Sequence, residues 1–172
     1  AVITARAAER VIKYGLIGPG SRGLRLLKRH LQHNPGGECV ALCDIYKPNL
    51  KKAVKLFGGK PTPYTDYRKL VEQPDVEAVF IATPIFTHYP IMKAALEAGK
   101  HVFCEKPPAL NAAEVVEMKA AAEAADKILM FDFNNRARPE SYALMDYVRS
   151  GDVGRINSAQ AKWIRRTGIP GF

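Results

Sequence analysis

Three glycines between an expected strand and an expected helix constrain this chain more than any other feature. Val11 to Ile17 reads as a short buried strand, and Gly18-Pro19-Gly20-Ser21-Arg22-Gly23 follows it directly. Leu24, Leu27 and Leu31 then recur at helical spacing. A second apolar run, Cys39 to Cys43, ends on Asp44, about twenty residues past the last glycine. Strand, glycine turn, helix, strand and acid in that order form a unit suited to a dinucleotide. Gly18 serves the tight turn, Gly20 lets the backbone approach a diphosphate, and Gly23 lets the helix pack closely on the strand. The phosphates are expected against free N–H groups where the helix starts, which makes Gly18, Gly20, Ser21, Arg22 and Gly23 the phosphate-binding set. Pro19 has no N–H to give. Asp44 is expected to accept from the adenine ribose hydroxyls and to repel a 2′-phosphate, favouring NAD over NADP. Lys47 weakens that preference, because its amine is within swinging reach of a phosphate.

The alternation continues along the chain. Helices are expected at Lys47–Phe57, Asp66–Val71, His88–Ala98, Asn111–Ala125 and Pro139–Ser150, and strands at Ala78–Ala82, His101–Phe103 and Ile128–Phe131. Asn111 and Glu114 have the spacing of a capping pair, and Gly58 to Pro63 reads as a turn. Such alternation predicts an α/β fold, a Rossmann-type doubly wound parallel sheet with helices on both faces. Ligands in such folds sit at the carboxyl ends of the strands. That rule singles out the glycine turn, Asp44, Thr83-Pro84, Cys104-Glu105-Lys106-Pro107 and Phe133-Asn134-Asn135-Arg136. After Arg155 the period changes: Ala159, Ala161 and Trp163 alternate with polar residues, as in a half-buried strand. The expected organisation is a flexible arm over 1–10, a dinucleotide-binding domain over 11–150, and the first strand of an incomplete α+β catalytic domain over 151–172.

Bulk properties narrow the classes. With 26 Lys and Arg against 17 Asp and Glu, the net charge is +9. The cations fall at helical spacing, as Arg22, Arg25 and Arg29 or Lys47, Lys51 and Lys55, which marks solvated faces rather than a nucleic-acid surface. No apolar run approaches the roughly 20 residues of a membrane span. Residues 1–10 lack the sustained apolar core of a secretory signal. A cytoplasmic location is expected, with a secreted or periplasmic form after leader processing as the alternative. Cys39, Cys43 and Cys104 show no metal spacing and read as small buried hydrophobes.

Ala82-Thr83-Pro84 with His88 just downstream, Ala98-Gly99-Lys100-His101-Val102, Glu105-Lys106-Pro107, Asn134-Asn135-Arg136 and Gly151-Asp152-Val153-Gly154 follow the glycine turn in order. From about Val11 onward the chain thereby resembles the Gfo/Idh/MocA oxidoreductase family. The resemblance implies hydride transfer between NAD or NADP and a sugar or polyol carbon. It implies that Lys106 is the active-site lysine, binding cofactor as well, and that Glu105 is the acid near the nicotinamide ribose. Thr83, Pro84 and His88 become the wall around the middle of the cofactor, and Arg136 and Trp163 lie near the mouth of the site. The Lys106–Pro107 bond matches a position often cis. Relatives of this kind are about twice as long, with a second domain that supplies an Asp and His as acid–base partners. This chain carries no such pair, since His30, His33, His88 and His101 all fall in its nucleotide-binding part. A homo-oligomer is expected of the full-length form. A non-catalytic dinucleotide-binding or dimerisation module, and an NAD-dependent glycosidase, are the alternative readings.

Overall fold

In the computed structural model, residues 10–28 and 34–162 are described. Their arrangement follows from the alternation of short apolar strands with helices. Six strands form one parallel sheet: β1 (Ile12–Ile17), β2 (Gly37–Cys43), β3 (Thr62–Tyr64), β4 (Ala78–Ile81), β5 (His101–Cys104) and β6 (Leu129–Phe131). Their order across the sheet is β3-β2-β1-β4-β5-β6, the doubly wound arrangement. The order of strand addition reverses at β1, which pairs Ile17 with Cys43 of β2 on one side and with Ile81 of β4 on the other. The carboxyl ends of these three strands therefore meet at the switch point, where such folds bind ligands.

Successive strand residues point to opposite faces, and both faces are apolar here. Leu16 and Leu42 pack with Leu24, Leu27, Leu50 and Ala53, beneath α1 (Ser21–Leu26) and α2 (Lys47–Leu56). On the other face Ile17, Cys43, Val79, Ile81 and Val102 pack under α3 (Tyr67–Val71), α4 (His88–Glu97) and α5 (Ala112–Ala124). Such two-sided burial is why these strands read as continuous apolar runs.

Local chemistry sets the helix ends. The Asp66 carboxylate accepts from Arg68 N at 3.0 Å to start α3. Asn111 Oδ1 accepts from Glu114 N at 2.9 Å, and Glu114 Oε2 accepts from Leu110 N at 3.0 Å, as the capping spacing predicted. Strand β3 departs from expectation, since Thr62-Pro63-Tyr64 had the composition of a turn. It pairs only with β2, and on an edge strand a proline faces outward without losing a ladder bond.

The described residues divide into two units, one ending at Phe133 and the next beginning at Asn134. The second holds a 3₁₀ turn, Asn134–Ala137, carrying Arg136, and then α6 (Pro139–Ser150), which ends at Gly151. The half-buried strand expected from Ala159 onward does not form among the described residues: Ser158 to Lys162 are exposed and irregular. Alternation prepares a segment for a ladder, and a strand forms only where another strand pairs with it. Trp163, His30, His33 and Leu31 lie outside the described residues.

A candidate dinucleotide-binding site

The glycine turn is tied down on both sides. Gly18 N donates to Cys43 O at 2.8 Å, and Ala82 N donates to Ile17 O at 2.9 Å. Gly18 adopts φ +87°, and a Cβ there would lie 2.8 Å from the Ala82 carbonyl carbon. A Cβ on Gly23 would sit 2.3 Å from the Gly18 carbonyl oxygen. Packing therefore demands both glycines. Gly20 differs: the only atom close to its missing Cβ is Asn49 Nδ2, at 3.6 Å. Its bare backbone keeps open the space above the turn.

That space belongs to a cleft of about 690 Å³ at the ends of β1, β2 and β4. Gly18, Gly20, Asp44, Thr83 and Pro84, five of the residues expected from the sequence, line it, with Cys43 among the lining residues as well. Asp44 stands at the end of β2, held by its main-chain N–H on Tyr64 O at 3.2 Å. Its Oδ1 accepts from Tyr46 N at 2.8 Å, and its Oδ2 from Asn49 Nδ2 at 3.3 Å. On the opposite wall Thr87 Oγ1 lies 2.7 Å from both Thr83 Oγ1 and Pro84 O, bracing the turn after β4. An open backbone over a helix start, with a carboxylate at the end of the neighbouring strand, matches the diphosphate and ribose of a dinucleotide. The residues present thus fit NAD.

Beside the cleft lies a cluster of three charges. Arg22, in the first turn of α1, donates through Nε to Glu105 Oε1 and through Nη2 to Asp132 Oδ2. Both carboxylates are buried at the ends of β5 and β6, 4% and 9% exposed. Burial pushes the Glu105 carboxyl above its ordinary range, and its hydrogen bond with Asp132 adds to this, against the pull of Arg22. Burial works against the Arg22 charge, but the bonds to Glu105 and the charges of both acids outweigh it and hold its pKa above the usual value. The Arg22 guanidinium is thus engaged by two carboxylates. Lys106 donates its main-chain N–H to Glu105 Oε2 at 3.3 Å while its side chain stays exposed. The Lys106–Pro107 bond is cis.

His88 acts differently from the wall expected of it. Only 2% exposed, its ring places Nδ1 3.0 Å from Pro107 O and Nε2 2.9 Å from Thr83 O. It ties the turn after β4 to the loop after β5, buried itself while Thr87 and Pro90 beside it line the cleft. Ser21 is exposed at the start of α1. Two residues escaped the sequence reading. Asp132 follows β6 directly, and the strand-end rule that drew attention to Asn134 and Arg136 applied two residues earlier. Asn49 carried no signal, since only the turn of α2 brings it to Asp44.

The family described as oxidoreductases with an NAD-binding Rossmann fold matches residues 12–133. This chain is a member of the Gfo/Idh/MocA family. The inositol 2-dehydrogenase/D-chiro-inositol 3-dehydrogenase of Lactiplantibacillus plantarum is 33% identical over 150 residues, covering 87% of this chain and 43% of that protein. A glycosyl hydrolase family 109 protein of Shewanella baltica is 33% identical over 162 residues, covering 90% of this chain and 35% of that one. The crystal structure of myo-inositol 2-dehydrogenase from Lactobacillus plantarum superposes with a TM-score of 0.77 at 28% identity, covering 86% of this chain and 43% of that one. This Gfo/Idh/MocA chain spans less than half the length of these relatives. Among its described residues no helix is long and apolar enough to cross a membrane.

Proposed function

We propose that this chain is the cofactor-holding part of an NAD-dependent oxidoreductase that acts on a carbinol carbon of a sugar or polyol. The observation that carries this reading is the cleft shared by Gly20, with nothing but Asn49 near its missing Cβ, and Asp44 at the end of β2. Gly18, Gly20, Ser21, Arg22 and Gly23 hold the diphosphate through the backbone of the turn, and Asp44 accepts from the adenine ribose. Thr83 and Pro84 wall the middle of the cofactor, and Glu105 and Lys106 stand on the nicotinamide side. NAD is preferred over NADP because Asp44 opposes a 2′-phosphate.

When bound, the nicotinamide accepts or returns a hydride. Lys106 has the remaining task. Its exposed amine at a strand end donates a hydrogen bond to the substrate hydroxyl and stabilises charge developing on that oxygen. Glu105, clamped by Arg22, holds the main chain of Lys106 in place. Calorimetric titration of the 172-residue chain tests the reading: NADH binding is expected, and Asp44→Ala weakens it by about tenfold or more. Unaltered affinity in that variant overturns it.

The equal identity to a glycosyl hydrolase family 109 protein supports a second reading for the full-length protein, in which the hydride is borrowed and returned. Net NADH accumulation with a polyol identifies the dehydrogenase. Glycoside cleavage without net NADH identifies the glycosidase.

A further inference from the structure

The geometry points to Asn49 as the residue that makes this site choose between NAD and NADP, by locking the Asp44 carboxylate in place. This inference rests on the proposed ribose role of Asp44.

The lock is assembled from local geometry. Asn49 stands in the first turn of α2, with its N–H donated to Tyr46 O at 3.0 Å. Tyr46 in turn donates its main-chain N–H to Asp44 Oδ1 at 2.8 Å, closing a short turn that folds α2 back onto the strand end. The Asn49 amide then reaches the other carboxylate oxygen, Oδ2, at 3.3 Å. Each oxygen is thereby held by one donor, and the carboxylate has no free rotation about its last bond. One lone-pair direction on each oxygen is left for a pair of ribose hydroxyls. The same Asn49 nitrogen lies 3.6 Å from the position of a Cβ on Gly20. It occupies the corner between the expected ribose and the expected diphosphate.

A site that accepts a 2′-phosphate must move its acid aside and offer a cation. Here the acid is not free to move, and Arg68, a cation lining the cleft, is engaged by Asp66. Asp44 is restrained at both oxygens, and Lys47, the cation nearest in sequence, stands exposed at the start of α2. Two negative groups held close in a half-buried cleft repel more strongly than in bulk water. Asn49 is thus a positioning residue acting through Asp44.

Asn49→Ala and the isosteric Asn49→Asp are compared with wild type for NADH and NADPH binding, alone and in the Asp44→Ala background. Asn49 is half-buried on a helix surface, so both variants fold, as unchanged circular dichroism will show. Asn49→Ala is expected to weaken NADH by about fivefold to tenfold and to lower the NADPH-to-NADH Kd ratio by a similar factor. Asn49→Asp weakens NADH further, because a second carboxylate faces the first. With Asp44 already removed, Asn49→Ala changes NADH affinity by less than about twofold. Should Asp44→Ala weaken NADH while Asn49→Ala leaves affinity and ratio untouched, the lock is overturned and the ribose role stands. If Asn49→Ala costs as much without Asp44 as with it, Asn49 acts independently and the lock is again overturned. An Asp44→Ala variant with undiminished affinity removes the ribose role, and the lock with it.

Discussion

Arg22, in the glycine turn, grips Glu105, the residue that precedes Lys106 in the chain. The turn expected to hold a diphosphate and the strand end expected to hold the active-site lysine are thereby one mechanical piece. Asp132 at the end of β6 completes the clamp from a third direction.

The clamp has a pH signature. Glu105 titrates above its ordinary value of 4.5 in the folded protein. The folded state therefore binds this proton more tightly than the unfolded one. The associated stability is fully present below pH 4.5 and is lost as pH rises through the folded value. Glu105→Gln abolishes that loss. Its stability relative to wild type is expected to improve steadily as pH rises from about 4.5, read by urea denaturation at a series of pH values. A difference independent of pH counts against the burial of Glu105 as the source of that shift.

Removing the cation has the opposite effect. Arg22→Met leaves two buried carboxylates facing each other, at a cost of about 2 kcal/mol after allowance for the partial exposure of Arg22. The loss should grow with pH as Glu105 ionises. Equal destabilisation at pH 4 and pH 8 contradicts this.

Gly20 and Gly23 should separate binding from folding. A methyl group on Gly20 meets no atom closer than 3.6 Å, whereas one on Gly23 meets the Gly18 carbonyl oxygen at 2.3 Å. Gly20→Ala is expected to keep its melting temperature and lose NADH affinity, because its Cβ enters the space meant for the diphosphate. Gly23→Ala should lose about 2 kcal/mol or more of stability, because backbone must shift. Thermal melting with and without NADH distinguishes the two.

His88 supports two loops at once. Replacing it with leucine removes the ring N–H that one of the Thr83 and Pro107 carbonyls accepts, and the ring packed between them, at an expected cost of about 1–3 kcal/mol. Urea denaturation measures this, and a loss below about 0.5 kcal/mol would show the two contacts to be incidental.

The cysteines should be silent. All three are buried, and burial pushes each thiol up to about 12. A thiol-specific reagent at pH 8 is expected to modify none of them in the native protein and all three in urea. Rapid native labelling of Cys43, a residue of the cleft, would show that the end of β2 opens.

The strand ends show how far the chain could be read directly. Gly18, Gly20, Asp44, Thr83 and Pro84 were legible because each directly follows an apolar run, and their convergence follows from parallel strands alone. The pair Asn111 and Glu114 was legible because capping is local. Strand β3 was not, since Thr62-Pro63-Tyr64 has turn composition and becomes a strand only by adding to the edge of β2. The segment around Ala159 departs in the other direction, having strand alternation while Ser158 to Lys162 are exposed and irregular.

What the sequence determined by itself is the architecture and the place of the cleft, because periodicity and glycine position act over a few residues. Tertiary structure alone decided what the polar side chains do there. Arg22 turned to Glu105 and Asp132, His88 turned inward to two carbonyls, and Asn49 came to Asp44. A buried charge or ring nitrogen must find a partner wherever packing leaves one, and those partners lie on elements far apart in the chain.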